Sequence, residues 1–240
     1  MQSALADLIK NPIAHRGLHD GNNAIYENTR CAFQAAIDHG FGIELDVQIS
    51  ADGEAIVFHD EMLDRLTTLS GPVADQTTAT LASTNIGSSA NKAETLKEIL
   101  KFVDNRVPVV IELKENGARN EQLARDVARC VREYSGPVSV MSFSHDLIFQ
   151  LRQQSVSCPV GLTAEGIGSL ALDEHRAALD HGIDFISYHI HALPNAFVSD
   201  MRSLGKPIIT WTVRNTEQAR HSAAHADQMT FEGFDPEKEK

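Results

Sequence analysis

The sequence has few of the features that would mark a cross-linked, polyanion-binding or membrane-spanning protein. Its 240 residues hold three cysteines, Cys31, Cys130 and Cys158, far apart and without a CxxC pair. That count and spacing exclude a disulfide framework or a zinc knuckle, and the thiols are expected as small buried hydrophobes. Positive charge is scarce: 21 Lys and Arg stand against 33 Asp and Glu, a net charge of −12. A surface of that sign is a poor binder of nucleic acid, although a local cation can still hold one phosphate. No apolar run approaches the roughly 20 residues of a membrane span, so no stable membrane insertion is expected. The opening MQSALADLIKNP carries Asp7 and lacks both an apolar stretch and a small-residue cleavage site, so no signal peptide and a cytoplasmic location are expected. Aromatic residues make up 6% of the chain and tryptophan occurs once, at Trp211.

What is present is a rhythm. Short apolar, β-branched runs recur at 12–17, 42–50, 55–60, 107–114, 137–143, 159–163, 184–190 and 207–213, and a weaker one at 227–231. Continuous runs of this length suit strands buried on both faces. Helical spacing separates them over 28–39, 95–103, 122–134, 146–154, 170–181, 196–204 and 216–226. Alternation of this kind predicts parallel βαβ units. Nine runs are one too many for a closed barrel of eight strands, but Asp52-Gly53 is a tight-turn signal. The segment 42–60 therefore reads as a β-hairpin whose first arm is a barrel strand. The prediction is α/β: a (β/α)8 TIM barrel with a β-hairpin and long loop inserted after strand 2, as a single domain over 1–240. The rival, an open doubly wound sheet, lacks a Gly-rich phosphate loop after its first strand. Residues 61–94 are rich in Thr, Ser, Ala and Asn, have no clear period, and are expected as a loop over the barrel mouth.

In such a barrel the C-terminal strand ends face the active site. Those positions hold His15-Arg16-Gly17, Glu44-Leu45-Asp46, His59-Asp60, Glu112-Leu113-Lys114 and Trp211-Thr212. Glu44 and Asp46, two apart on a strand, share a face. Their neighbours Ile43, Leu45 and Val47 must pack against helices, so the acids point into the barrel, with Glu112 beside them. Three carboxylates repel unless a cation joins them, and an all-oxygen set suits a hard divalent cation, Mg2+ or Ca2+. His15 and His59 are the expected acid and base, able to remove and return protons near neutral pH. Arg16 and Lys114 are the expected phosphate cations, with ion pairing to the acids as the plain alternative. Trp211 suits an apolar wall for the substrate, and core packing is its other reading. Glu27 and Asn28 are supporting residues: Asn28 as helix N-cap or site support, Glu27 as a partner for Arg16 or a histidine.

The motifs IAHRG (13–17), ENT (27–29), IELDVQIS (43–50), DGEAIVFHD (52–60), LDRLT (63–67), IELK (111–114), SF (142–143) and WTV (211–213) resemble, in order, those of the glycerophosphodiester phosphodiesterase family. The resemblance implies a (β/α)8 barrel that hydrolyses glycerophosphodiesters to sn-glycerol 3-phosphate and an alcohol with Mg2+ or Ca2+. It implies Glu44, Asp46 and Glu112 as metal ligands, His15 and His59 as the catalytic pair, and Arg16 and Lys114 on the phosphate. The implied partner is a small-molecule diester and not nucleic acid. Two alternatives stay open: a phospholipase D-like lipid phosphodiesterase and a non-catalytic phosphate-binding barrel. The chain departs from the pattern at its end, where Glu232 stands in the usual place of aspartate, the last strand is more polar, and the tail EKEK (237–240) is expected to fray.

Overall fold

The computed structural model describes residues 2–237. Eight parallel strands close into a barrel: β1 (Ile13–Ala14), β2 (Gly42–Ile49), β4 (Val109–Leu113), β5 (Val138–Ser142), β6 (Val160–Ala164), β7 (Phe185–His189), β8 (Ile208–Val213) and β9 (Gln228–Phe231). β1 pairs with both β2 and β9, which closes the ring. The remaining strand, β3 (Ala55–Val57), is antiparallel to β2, so 42–57 forms the expected hairpin. The polar last strand forms and carries the closing pairings. Lys238 to Lys240, most of the tail expected to fray, lie outside the described residues.

Helices α2 (Arg30–Asp38), α4 (Leu96–Val103), α5 (Asn120–Glu133), α6 (His145–Gln153), α7 (Ser169–Ala177), α8 (Ala196–Ser203) and α9 (Thr216–His225) lie between the strands. Helix α4 shows why these boundaries were readable. Thr95 and Glu98 form a reciprocal capping box, and Leu96, Ile99, Leu100 and Val103 form the buried stripe. The first helix, α1 (Gln2–Leu8), was not anticipated. Its Leu8 joins Ile13, Val110, Phe185 and Ile209, which fill the lower lumen, and Met141, level with Glu112, which reaches the cleft above them. Phe185 leaves no room at the facing position of β6, where a Cβ on Gly161 would stand 2.4 Å from its ring. The lumen is thus packed below, and chemistry is confined to the upper end.

Residues 61–94 are more ordered than a loop without period suggests. They contain two 3-10 turns, Leu63–Arg65 and Val73–Asp75, and the short helix α3 (Thr78–Ser83). Leu63, Leu66, Val73, Leu81, Ile86 and Ala93 bury themselves on Ile56 and Phe58 of the hairpin arm as a small separate core. The segment ties to two loops at the barrel rim: Tyr26 Oη lies 3.2 Å from Ser88 Oγ, and Arg119 Nη1 donates to Ala74 O at 3.0 Å. Of the thiols, Cys130 and Cys158 are buried as expected and burial pushes both up to about 12, whereas Cys31 is exposed on α2.

Candidate active site

Strand β2 is buried along its whole length, yet alternate residues face opposite media. Ile43, Leu45 and Val47 enter the main core between barrel and helices. Glu44 and Asp46 face the lumen, and the register of β2 with β4 sets Asp46 beside Glu112. One oxygen from each of Glu44, Asp46 and Glu112 lies within 4.8 Å of the others, and all three residues are buried. Burial pushes the Glu44 carboxyl well above the usual range, and the charges of Asp46 and Glu112 add to it; Glu112 is also raised, by burial first. Asp46 goes the other way. Burial opposes its ionisation, but Lys114 and Arg16 hold it well below the usual range. Three buried acids with opposed protonation tendencies fit a hard divalent cation, because all donors are oxygens.

The cations expected on phosphate are close by and paired with these acids. Lys114 Nζ stands 2.8 Å from Asp46 Oδ1 and also pairs with Glu112. Arg16 Nη1 donates to Glu27 Oε1 at 2.9 Å, and its Nε lies 3.3 Å from Asp46 Oδ2. Its backbone N–H donates to Glu44 Oε2 at 2.9 Å. That contact depends on the turn after β1, where Arg16 at φ 57° and Gly17 at φ 78° are left-handed. A Cβ on Gly17 would stand 2.8 Å from Ala32 on the first helix turn, so glycine is needed for both conformation and space.

Each histidine has a carboxylate behind it. His15 Nδ1 lies 2.5 Å from Glu232 Oε2, while its Nε2 faces the acids, 4.0 Å from Glu44 Oε2. Arg214 holds Glu232 from the other side, with Nη2 2.7 Å from Oε1. Burial would raise the Glu232 carboxyl, but the hydrogen bond from His15 and the neighbouring His19 carry it far below the usual range. His59 Nδ1 lies 2.7 Å from Asp60 Oδ1. Both imidazoles are lowered by burial first, which favours the neutral ring that a base requires.

His15, Arg16, Glu44, His59, Glu112, Lys114 and Trp211 line one cleft of about 170 Å³, and Asp46 completes the acid cluster beside it. Trp211 meets Phe143 edge-on at 5.3 Å between centroids and forms an apolar wall. Glu27 and Asn28 stand one step back. Asn28 donates to Asp46 Oδ2 at 2.8 Å and is not the helix cap. Its φ of 55° is left-handed, and Thr29 instead accepts from Ala32 N–H as the N-cap of α2. Sequence reading missed Glu232 as the partner of His15, with Arg214 behind it, and Asp60 as the partner of His59, with Arg65 behind it. The available signal for Glu232 was its place at the end of the last barrel strand.

The model of the glycerophosphoryl diester phosphodiesterase family matches residues 15–232. A glycerophosphodiester phosphodiesterase of Caldanaerobacter subterraneus subsp. tengcongensis is 28% identical over 236 residues, covering 94% of each chain. The crystal structure of glycerophosphodiester phosphodiesterase from Thermotoga maritima superposes with a TM-score of 0.74 at 26% identity, covering 92% of this chain and 94% of that one. The Oleispira antarctica phosphodiesterase in complex with the product sn-glycerol-3-phosphate has the same fold, with a TM-score of 0.81 at 21% identity and 92% of each chain covered. The matched span runs from His15 to Glu232, the two residues whose contact joins the first barrel strand to the last, and the chain belongs to the glycerophosphoryl diester phosphodiesterase family.

Proposed function

We propose that this protein hydrolyses glycerophosphodiesters to sn-glycerol 3-phosphate and an alcohol by acid–base catalysis at a divalent metal site. The observation that supports the reading is the single cleft joining three carboxylates, two carboxylate-backed histidines and two cations. Glu44, Asp46 and Glu112 would hold Mg2+ or Ca2+, which supplies Lewis-acid polarisation of a phosphate oxygen. Arg16 and Lys114 neutralise the remaining phosphate charge. His15, braced by Glu232, takes the proton from the nucleophile, and His59, braced by Asp60, returns one to the leaving alkoxide. The nucleophile is the glycerol 2-hydroxyl or water, and a cyclic phosphate trapped during turnover distinguishes the first. Trp211 with Phe143 packs against the glycerol carbons. The cytoplasmic location and the single-domain organisation belong to the same proposal.

The lipid alternative gains support from one feature. Phe143, Ile167 and Leu170 are 45%, 68% and 80% exposed, and they follow the C-terminal ends of β5 and β6. The sequence showed no such apolar rim. No helix among the described residues is long and apolar enough to cross a membrane. The test is a parallel assay of glycerophosphocholine, glycerophosphoethanolamine and a lysophospholipid, each with EDTA and with Mg2+ or Ca2+ restored. Turnover of the first two that EDTA abolishes is expected. Full activity in a chelated, metal-free preparation removes the metal reading, and turnover of the lysolipid alone favours the lipid one.

A further inference from the structure

The LDRLT run at 63–67 lies outside the barrel, in the segment that packs on the hairpin, yet Arg65 reaches the cleft's support. Its guanidinium fills the gap between two carboxylates. Toward Asp60, Nε donates to Oδ2 at 2.6 Å and Nη2 to Oδ1 at 2.9 Å. Toward Glu27, Nη1 donates to Oε2 at 3.0 Å and Nη2 to Oε1 at 2.7 Å. Both acids then lead into the site. Asp60 Oδ1 is also the oxygen 2.7 Å from His59 Nδ1, and Glu27 Oε1 is also the oxygen that accepts from Arg16 at 2.9 Å.

We propose that Arg65 is a positioning residue that fixes His59 and Arg16 relative to each other, so that the inserted segment completes the active site. This rests on the phosphodiesterase reading above. The planar guanidinium carries five donors in a rigid fork and satisfies two carboxylates on two edges, which a lysine point charge cannot do. With Asp60 held, its oxygen accepts from the Nδ1–H of His59 and leaves Nε2 as the atom for proton exchange. With Glu27 held, the Arg16 guanidinium is kept in line with Asp46 and the cleft instead of swinging to solvent. Leu63 and Leu66, on either side of Arg65, are buried in the small core and fix the backbone from which the fork projects. The Arg65 side chain is itself 43% exposed and takes no part in that core, so replacing it removes none of the core's apolar contacts.

The experiment compares wild type, Arg65→Gln and Arg65→Lys in the Mg2+-loaded enzyme. One substrate is glycerophosphocholine, whose leaving alkoxide needs a proton. The other is bis(para-nitrophenyl) phosphate, whose leaving nitrophenolate does not. For Arg65→Gln a fall in kcat of about 100-fold is expected on glycerophosphocholine, the cost of a small misplacement of reacting groups, with a several-fold rise in KM through Arg16. On the aryl diester the fall in kcat is expected to be about tenfold or less. Arg65→Lys should recover little of the loss. Nitrogen NMR of the metal-free protein should show His59 protonated at Nδ1 in wild type and without that preference in Arg65→Gln. Wild-type kcat and KM in Arg65→Gln would overturn the inference. So would equal losses on both substrates that match a loss of folded protein by thermal unfolding. A wild type inert toward both diesters would overturn the phosphodiesterase reading, and this inference with it.

Discussion

Strands β1, β2 and β4 bring His15, Glu44, Asp46, Glu112 and Lys114 to the barrel mouth, whereas β5 and β8 bring Met141, Phe143 and Trp211. The charged half is held by a network of ion pairs, with Arg16 Nε and His19 Nε2 as its buried atoms without a hydrogen bond. Asp46 is held by Lys114, Arg16 and Asn28, Glu27 by Arg16, Arg65 and Asn22, and Glu232 by His15 and Arg214. The apolar half is loosely built. Helix α7 buries none of its residues, Ile167 and Leu170 stand in solvent, and the lumenal Thr163 and Ser187 hydroxyls have no hydrogen-bond partner. A buried carboxylate left without a partner costs several kcal/mol, so a half that carries charge must also carry the network that holds it. An apolar wall has no such requirement.

The largest test of this contrast is Glu44→Gln. Shape and hydrogen bonding persist while one ligand charge is lost, and turnover should fall by about a thousandfold or more, the upper end for losing one preorganised electrostatic partner. Stability should move the other way. The Glu44 carboxyl is raised by burial and by its acidic neighbours, so its ionised form weakens the metal-free fold at neutral pH. In EDTA the variant is expected to unfold at the same temperature as wild type or higher. An apo variant that unfolds readily would make Glu44 a structural partner, and a stable, fully active one would dissolve the three-carboxylate site.

Next in size is the histidine on the same side. His15→Ala is expected to lower kcat about 100-fold, within the ordinary range for one general acid or base. Glu232→Gln, which leaves the ring but removes its carboxylate, should cost about tenfold. Activity that survives His15→Ala and His59→Ala together would end the assignment of the pair. Across the cleft, Trp211→Ala probes the apolar wall. Loss of an aromatic contact worth about 1 kcal/mol should raise KM by about fivefold and leave kcat within about twofold. A kcat loss as deep as that of His15→Ala would mean that the two halves are not functionally distinct.

The smallest effect concerns acid stability. Burial opposes ionisation of Glu27, but hydrogen bonds from Arg65, the charge of Arg16 and a hydrogen bond from Asn22 hold its carboxyl down to about 2 from 4.5. A depressed carboxylate stabilises the fold above its unfolded value and loses that contribution as pH falls toward the folded one. The thermal midpoint of wild type should therefore drop more steeply between about pH 4.5 and 2 than that of Glu27→Gln. Parallel slopes would show that this brace adds nothing to stability.

The sequence alone determined the barrel and the inventory of the charged half. Apolar runs separated by helical spacing leave few architectures, and the i, i+2 placement of Glu44 and Asp46 between Ile43, Leu45 and Val47 fixes which face is inward. Asp52-Gly53 marked the hairpin for the same local reason. What only the tertiary structure decided is partnership across distance. His15 meets Glu232 from 217 positions away because β9 closes on β1, and periodicity along one strand says nothing of its neighbour around a ring. Of the two roles open to Asn28, the cap falls to Thr29 and site support to Asn28, because the left-handed turn at Asn28 aims its amide at Asp46. Arg65 was legible as part of a motif and not as a brace. Its two carboxylates come from the β1–α2 loop and from the end of the hairpin, and they converge only once β2 and β3 have paired and the inserted segment has found its own core on them.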